Sequence, residues 1–470
     1  MLAMTGCALQ PAYVMPDLPM PESWSVAPSQ PGEYTDLHEH AWWRELGDMA
    51  IDNLIEAAIA DNPSLQEAAT RIDEARATLR VSAASRAPAV DGNVSISRAK
   101  GLNNSQPSAG ERILSTSTAA GPTLSWELDL FGHLRYSIEA ARSRLDARTA
   151  DAASTRLALA AEVADGVLSL RACENTRGVY LQDIASREKT LALTRLRINA
   201  GSAAPVDDAR AVAGLSTSRA SLASQQEQCT RQVNALVALS GRDAATVRTM
   251  VGVVDRAAHA AAIFMPQPPV SAPNLPATVL TQHPDVISAE REVSATWAEI
   301  GAARANRLPR INLAAALTGQ WIRAAGSQLD TTGWSIGPSV TGPLFDGGAG
   351  AANVRAADAR YRRAVAALDS TLRTTVQDVE NALAAQASAA SRLASTQAGV
   401  RAAGLTLQAS EAQWKLGAVS LFELEDTRRQ FASAQDAEIS ARRDQAQAWV
   451  ALVKATGGAV VFTSDIASHD

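Results

Sequence analysis

The side chains that most often do chemistry are sparse in this 470-residue chain, and they are not grouped. The six histidines stand singly apart from His38 and His40, and the three cysteines lie far apart. No metal-ligand spacing, glycine-rich phosphate loop or nucleophile motif appears. No catalytic residue, metal site or cofactor is therefore expected, and an enzyme is the least favoured reading. The net charge of −6 is mild and forms no basic stripe, so nucleic acid is not an expected partner. Two cysteines do carry a spatial relation. Cys173 and Cys229 each stand 28 positions from Gly201. An antiparallel helical hairpin turning at Gly201 brings them to one height, where a disulfide can form in an oxidising compartment. The alternative is two small side chains in ordinary helix–helix packing.

The third cysteine has a different setting. Leu2-Ala3-Met4-Thr5-Gly6-Cys7-Ala8 resembles a bacterial lipobox, in which the cysteine is lipidated. Six preceding residues are too few for the basic and apolar stretches of a signal peptide. Either the true start lies upstream or the likeness is chance. Pro11, Pro16, Pro19, Pro21, Pro28 and Pro31 follow, as an extended tether would require. Ala8 after the cysteine is compatible with sorting to the outer membrane.

The elements that must position anything else come in two copies. Asn62-Pro63-Ser64-Leu65 answers His283-Pro284-Asp285-Val286, and Pro88 answers Pro309. Leu130-Phe131-Gly132 answers Leu344-Phe345-Asp346-Gly347, and Gly201 answers Gly417. Repetition at nearly constant separation marks a duplicated unit. The reading divides the chain into a lipobox remnant (1–7), a proline-rich tether (8–40), a first repeat (41–265), a proline-rich linker (266–279), a second repeat (280–458) and a tail (459–470). Each repeat reads as short helix, two strands, long helix, turn and returning helix.

Leu124, Trp126, Leu128 and Leu130 alternate with Ser125, Glu127 and Asp129. A period of two sends the apolar set to one face of a strand. Ile311, Leu313, Ala315, Leu317 and Trp321 alternate with Asn312, Thr318 and Gln320, and Val94 and Ile96 with Ser95 and Ser97. Trp334, Ile336, Val340 and Leu344 alternate more weakly. A half-buried soluble sheet needs an apolar cover that the chain does not offer. A barrel wall, apolar outside and polar inside, fits better. Four strands cannot close a barrel, since the smallest membrane barrels have about eight, so several copies must contribute.

Alanine-rich composition with only 4% aromatics suits slim helices packed side by side. Leu134 to Asn199 and Gly350 to Leu416 each predict a helix of about 100 Å at ~1.5 Å per residue. Pro205 to Gly241 and Ser420 to Gly457 return about half that distance. Ala50 to Arg86 and Leu280 to Arg307 are read as single helices that stack end to end with them.

In this setting the motifs resemble the TolC-like outer membrane efflux factors, in the lipoprotein branch that serves resistance–nodulation–division pumps. The carriers are Trp42-Trp43, Trp126 to Gly132, Pro284-Asp285-Val286, Gly342 to Gly348, and Leu452 to Gly458. The resemblance implies a homotrimer with a twelve-stranded barrel in the outer membrane, continued by a helical periplasmic tunnel. It implies a periplasmic adaptor, an inner-membrane pump and outer membrane lipid as partners. It also implies a gate at the periplasmic turns. Counting from Gly417, Glu423 and Asp426 match the two acidic gate positions, and Asp207 is the first-half counterpart of Glu423. Trp414 stands where a tyrosine often latches the gate, and Val419 where an arginine completes that latch, so the hydrogen-bonded latch is not expected. Gly201, Ser202, Gly417 and Ala418 form turns an adaptor tip can dock against. The same acids also read as solvated first-turn residues favoured by the helix dipole. The expected function is a passive exit duct for small molecules. A protein-secretion duct or a periplasmic coiled-coil scaffold are the alternatives.

Overall fold

The computed structural model describes residues 10–17, 19, 21–25, 41–102, 112–252, 264–269, 271–273, 276–324, 327–458 and 460–462. Cys7, Pro28 and Pro31 lie outside the described residues. Among the described residues the first element is a 3-10 turn, Trp42–Leu46, followed by α1 (Met49–Asp61), α2 (Pro63–Ala84), β1 (Ala89–Leu102) and β2 (Arg112–Leu128). Next come α3 (His133–Asn199), α4 (Pro205–Ser240), α5 (Ala244–Val251), β3 (Ser271–Pro273), α6 (Pro276–Gln282) and α7 (Pro284–Ala305). The remainder is β4 (Arg310–Ala324), β5 (Ser327–Thr341), α8 (Ala349–Lys415), α9 (Leu421–Ala455) and β6 (Val460–Phe462). Both α3 and α8 run for 67 residues. No described helix is long and apolar enough to cross a membrane. The residues fall into two units, Met1–Leu18 with Thr70–Thr149 and Ser288–Asp369, and Pro19–Ala69 with Ala150–Ile287 and Ser370–Asp470.

The first unit holds a four-stranded antiparallel sheet in the order β1-β2-β4-β5. Register separates its two faces, because directly opposed residues share a side. Val90 pairs with Leu124, Leu124 with Ala315, and Ala315 with Ile336. The same face carries Val94, Ile96, Trp126, Leu313, Leu317, Trp321, Trp334 and Val340. The opposite face carries Asn93, Ser95, Ser97, Ser117, Gly121, Thr123, Asn312, Thr318, Ser335 and Ser339. Val94, Ile96, Trp334 and Ile336 stand exposed on the apolar face. The weaker alternation read for the last strand is real, but β5 ends at Thr341, and Leu344 belongs to the following corner. A Cβ on Gly121 would sit 1.8 Å from the Leu317 carbonyl oxygen, so glycine is what allows β2 to approach β4 there.

In the second unit, Trp42, Trp43, Ile51, Leu54, Ile55, Leu168, Leu236 and Trp449 lie in one apolar core. Asp48 lies inside this core, 2% exposed, and meets Arg171, 8% exposed, through both carboxylate oxygens. It also accepts from the Ala50 backbone N–H at 2.9 Å, so one carboxylate caps α1 and neutralises the guanidinium. Cys173 of α3 and Cys229 of α4 are joined by a disulfide, with Cα atoms 5.5 Å apart.

The two pre-strand helices differ from the single spans read from sequence. Each is broken, at Asn62-Pro63 and at His283-Pro284. Proline disfavours helical geometry in the residue before it and is accommodated at a helix start. Asn62 is extended at ψ 127, its Nδ2 donates to the Leu239 carbonyl at 2.9 Å, and its Oδ1 accepts from Ser64 N–H at 2.9 Å. The end of α4 thereby meets the start of α2. In the second repeat, Gly457 takes φ 68, where an added Cβ would lie 2.9 Å from Pro284 Cδ. The end of α9 therefore meets the start of α7.

Two proline-rich segments also depart from expectation. Part of the linker, β3, pairs antiparallel with β6 of the C-terminal tail. Trp24 of the tether is buried with Val279, Val379, Leu383 and Leu452, and the Ser25 N–H donates to Glu380 at 2.8 Å.

Asp165 on α3 has a buried Oδ1 without a hydrogen-bond partner. Burial pushes its carboxyl up to about 7, against the pull of Lys454. A raised acid pKa means the folded chain holds a proton that the unfolded chain releases near pH 4. Stability is therefore lost as pH rises from about 4 to about 7, and the full penalty stands above that. Asp165→Asn is expected to stabilise on the order of 2 kcal/mol at pH 8 and far less at pH 4. Equal shifts in thermal melts at the two pH values would contradict this.

Candidate functional site

The acids singled out from sequence gather at the two helical turns of the second unit. Gly201 and Gly417 adopt φ 72 and φ 75, the left-handed conformation that a side chain resists. At the first turn the Ser202 N–H donates to the Arg197 carbonyl at 2.8 Å, and at the second Ala418 N–H donates to Gln413 at 2.8 Å. Gly201 and Gly417 donate to Ile198 at 2.9 Å and to Trp414 at 3.0 Å. Both helices thus end in the same two-bond glycine cap. Pro205 opens α4, and Ser420 opens α9 by accepting from the Glu423 N–H at 3.2 Å.

Glu423 is exposed in the first turn of α9. Asp426, one turn on, is held by Arg429 and by Gln430 Nε2 at 2.7 Å. Asp207 is partly buried and 3.5 Å from Arg210. Its neighbour Asp208 pairs with Arg195 at 2.7 Å. Of the four, Glu423 has the most freely projecting carboxylate.

Trp414 meets its described neighbours through its ring and its backbone carbonyl. Its ring is buried beneath Arg197, whose guanidinium carbon lies 4.4 Å from the ring centroid. Arg197 also donates to the carbonyls of Trp414 at 3.0 Å and Lys415 at 2.9 Å. A cation from the end of α3 therefore caps α8, where the helix dipole favours positive charge. Ala211, Leu421 and Leu424 pack against the same indole, with Val419 beside them.

A charged network continues below this clamp. Arg187 on α3 bonds Asp183 at 2.7 Å and reaches across to Glu425 on α9. Arg428, 6% exposed, bonds Glu411 on α8 at 3.1 Å, Glu425 at 3.2 Å and the Thr190 hydroxyl on α3 at 2.8 Å. The roles of Arg187, Arg197, Glu425 and Arg428 carry almost no signal in the sequence. Only local spacings such as Asp183–Arg187 are visible in sequence, and the cross-links connect residues more than 200 positions apart. These contacts join the two turns into one block. Nothing in the arrangement is a nucleophile with a base, and no metal-binding group of three or more His, Cys, Asp or Glu exists among the described residues.

Residues 54–242 and 275–458 match the outer membrane efflux protein family, one segment in each repeat. The chain belongs to that family. This efflux protein is 30% identical to outer membrane protein OprJ of Pseudomonas aeruginosa, over 97% of this chain and 94% of OprJ. It is 28% identical to the antibiotic efflux pump outer membrane protein ArpC of Pseudomonas putida, over 96% of this chain and 93% of ArpC. The solved outer-membrane channel OprN superposes with a TM-score of 0.84 at 26% identity, over 96% of this chain and 99% of OprN. The efflux protein therefore resides in the outer membrane, its two-faced sheet supplies the membrane-crossing surface, and its helices serve the periplasmic side.

Proposed function

We propose that three copies close their sheets into one twelve-stranded barrel, and that small molecules leave through it without chemical change. The observation that carries this reading is a sheet with two open edges, β1 and β5, whose faces are apolar on one side and small or polar on the other. An edge pair left open in a membrane leaves backbone groups unsatisfied, and closure with further copies removes that cost. The corners support the same reading. Leu344 and Phe345 stand fully exposed, whereas Phe131 at the matching first corner is partly buried. A neighbouring copy would cover the second corner as the chain covers its own first. The energy for export comes from an inner-membrane pump, and the naming of ArpC as the outer membrane protein of an antibiotic efflux pump supports a pump as partner. A periplasmic adaptor joins the two at the turns formed by Gly201, Ser202, Gly417 and Ala418. Cys7 carries a lipid that anchors the chain to the membrane.

The turns serve as the gate, with Glu423 as its principal acid and Asp426 and Asp207 behind it. Three carboxylates brought to a narrow axis attract cations and repel anions. Glu423→Gln with Asp426→Asn is expected to reduce cation selectivity and to raise conductance in planar bilayers. Unchanged conductance and selectivity would remove these acids from the gate.

A further inference from the structure

We infer that Arg98, Lys100 and Arg323 form a binding row for the phosphate groups of lipid in the outer leaflet. The inference rests on the barrel reading, because it takes the apolar face as lipid-facing and the strand ends remote from the helices as extracellular.

Register places the three cations together. Arg98 lies directly opposite Thr116, and Thr116 directly opposite Arg323. The two arginines occupy one row, two strands apart, a spacing of about 10 Å. Lys100 stands two residues beyond Arg98 on the same face. All three are exposed, and none has an ion-pair partner among the described residues.

The row begins where the apolar band stops. From Ile311 to Trp321 that face of β4 carries no charge, and Arg323 is the next residue on it. Ten residue steps inclined as barrel strands are span about 25 Å, the height of a membrane barrel's apolar band. Trp321, at 44% exposure, borders the band beside the cations. Tryptophan at the edge of such a band marks the headgroup level.

Charge along the strands is segregated rather than mixed. Asp91, Glu127 and Arg310 lie on the opposite face at the helix end, where Arg310 and Glu127 approach to 3.8 Å. On the apolar face register adds Arg112, opposite Leu102, to the three cations, and the one acid among the described residues there is Asp330, whose carboxylate already accepts from Gln328 Nε2 at 3.0 and 3.1 Å. A merely solvated rim has no reason to sort its signs this way. Phosphate answers the sorting, since guanidinium groups bind its oxygens in pairs and each cation near an anionic lipid surface adds to the attraction.

The test uses the full-length protein in detergent micelles, with native mass spectrometry counting retained lipid. The probes are bisphosphorylated lipid A and the same glycolipid without phosphates. The wild-type protein is expected to retain the phosphorylated probe at least about tenfold better. Arg98→Gln/Lys100→Gln/Arg323→Gln is expected to lose that preference, whereas Arg98→Lys/Arg323→Lys keeps most of it. Absence of preference in the wild type, or its persistence in the triple glutamine variant, overturns the assignment. Displacement of the lipid by millimolar inorganic phosphate overturns it in favour of a soluble-anion site. Planar-bilayer conductance of the same preparations separates the two readings. A protein that prefers the phosphorylated lipid but conducts nothing keeps the lipid site and loses the channel.

Discussion

Arg428→Ala will loosen the turn-end block and raise the resting conductance of the reconstituted protein several-fold. Arg428 is the most buried cation of the network and touches three helices through Thr190, Glu411 and Glu425. Its removal leaves Glu411 and Glu425 near one another with one cation fewer. Removing one partner of a buried pair costs about 3–5 kcal/mol, because the remaining charge stays desolvated. Arg187 still holds Glu425 and places the expected cost at the low end of that range. Arg428→Lys retains the charge but not the forked geometry, and an intermediate conductance is expected. Amide exchange around residues 185–200 and 410–430 should accelerate in step with conductance. Faster exchange with unchanged conductance would make the network a structural brace with no part in gating.

Replacing Cys173 and Cys229 together by serine is expected to lower stability by about 4 kcal/mol, the loop-closure value for a disulfide of this span. The two residues are separated by 56 positions, so loss of the link opens a large closed loop in the unfolded chain and raises its entropy. Urea unfolding should show an earlier midpoint for the variant, and a reductant should move the wild type to the same place. An unchanged midpoint in both arms would mean that helix packing alone holds α3 against α4.

Most of the architecture was legible because it repeats and alternates. The paired corners, the glycine turns at Gly201 and Gly417, and the period of two in the strands each rest on local physics that one stretch of chain displays alone. The breaks at Asn62-Pro63 and His283-Pro284 were equally visible as proline signals, yet the helical composition on both sides hid them. Cys173 and Cys229 could be related only because a recognisable turn lay midway between them. The gate was legible as acids near a turn and illegible as a mechanism. Arg197 over Trp414 and Arg187 against Glu425 depend on which helix lies beside which, and no spacing in a single helix encodes that. The pairing of β3 with β6 and the seating of Trp24 escaped for the same reason. Proline-rich segments read as tethers until a tertiary partner appears.

The direct pairing of β2 with β4 bears on how the proposed trimer comes together. The two hairpins of each chain are already neighbours before any second copy arrives, so half the hairpin-to-hairpin seams of a twelve-stranded ring form within single chains. An ancestral barrel made from single hairpins would need six separate encounters in the membrane. Duplication reduces that to three, which lowers the concentration dependence of assembly and shortens the time each open sheet edge is exposed to mispairing.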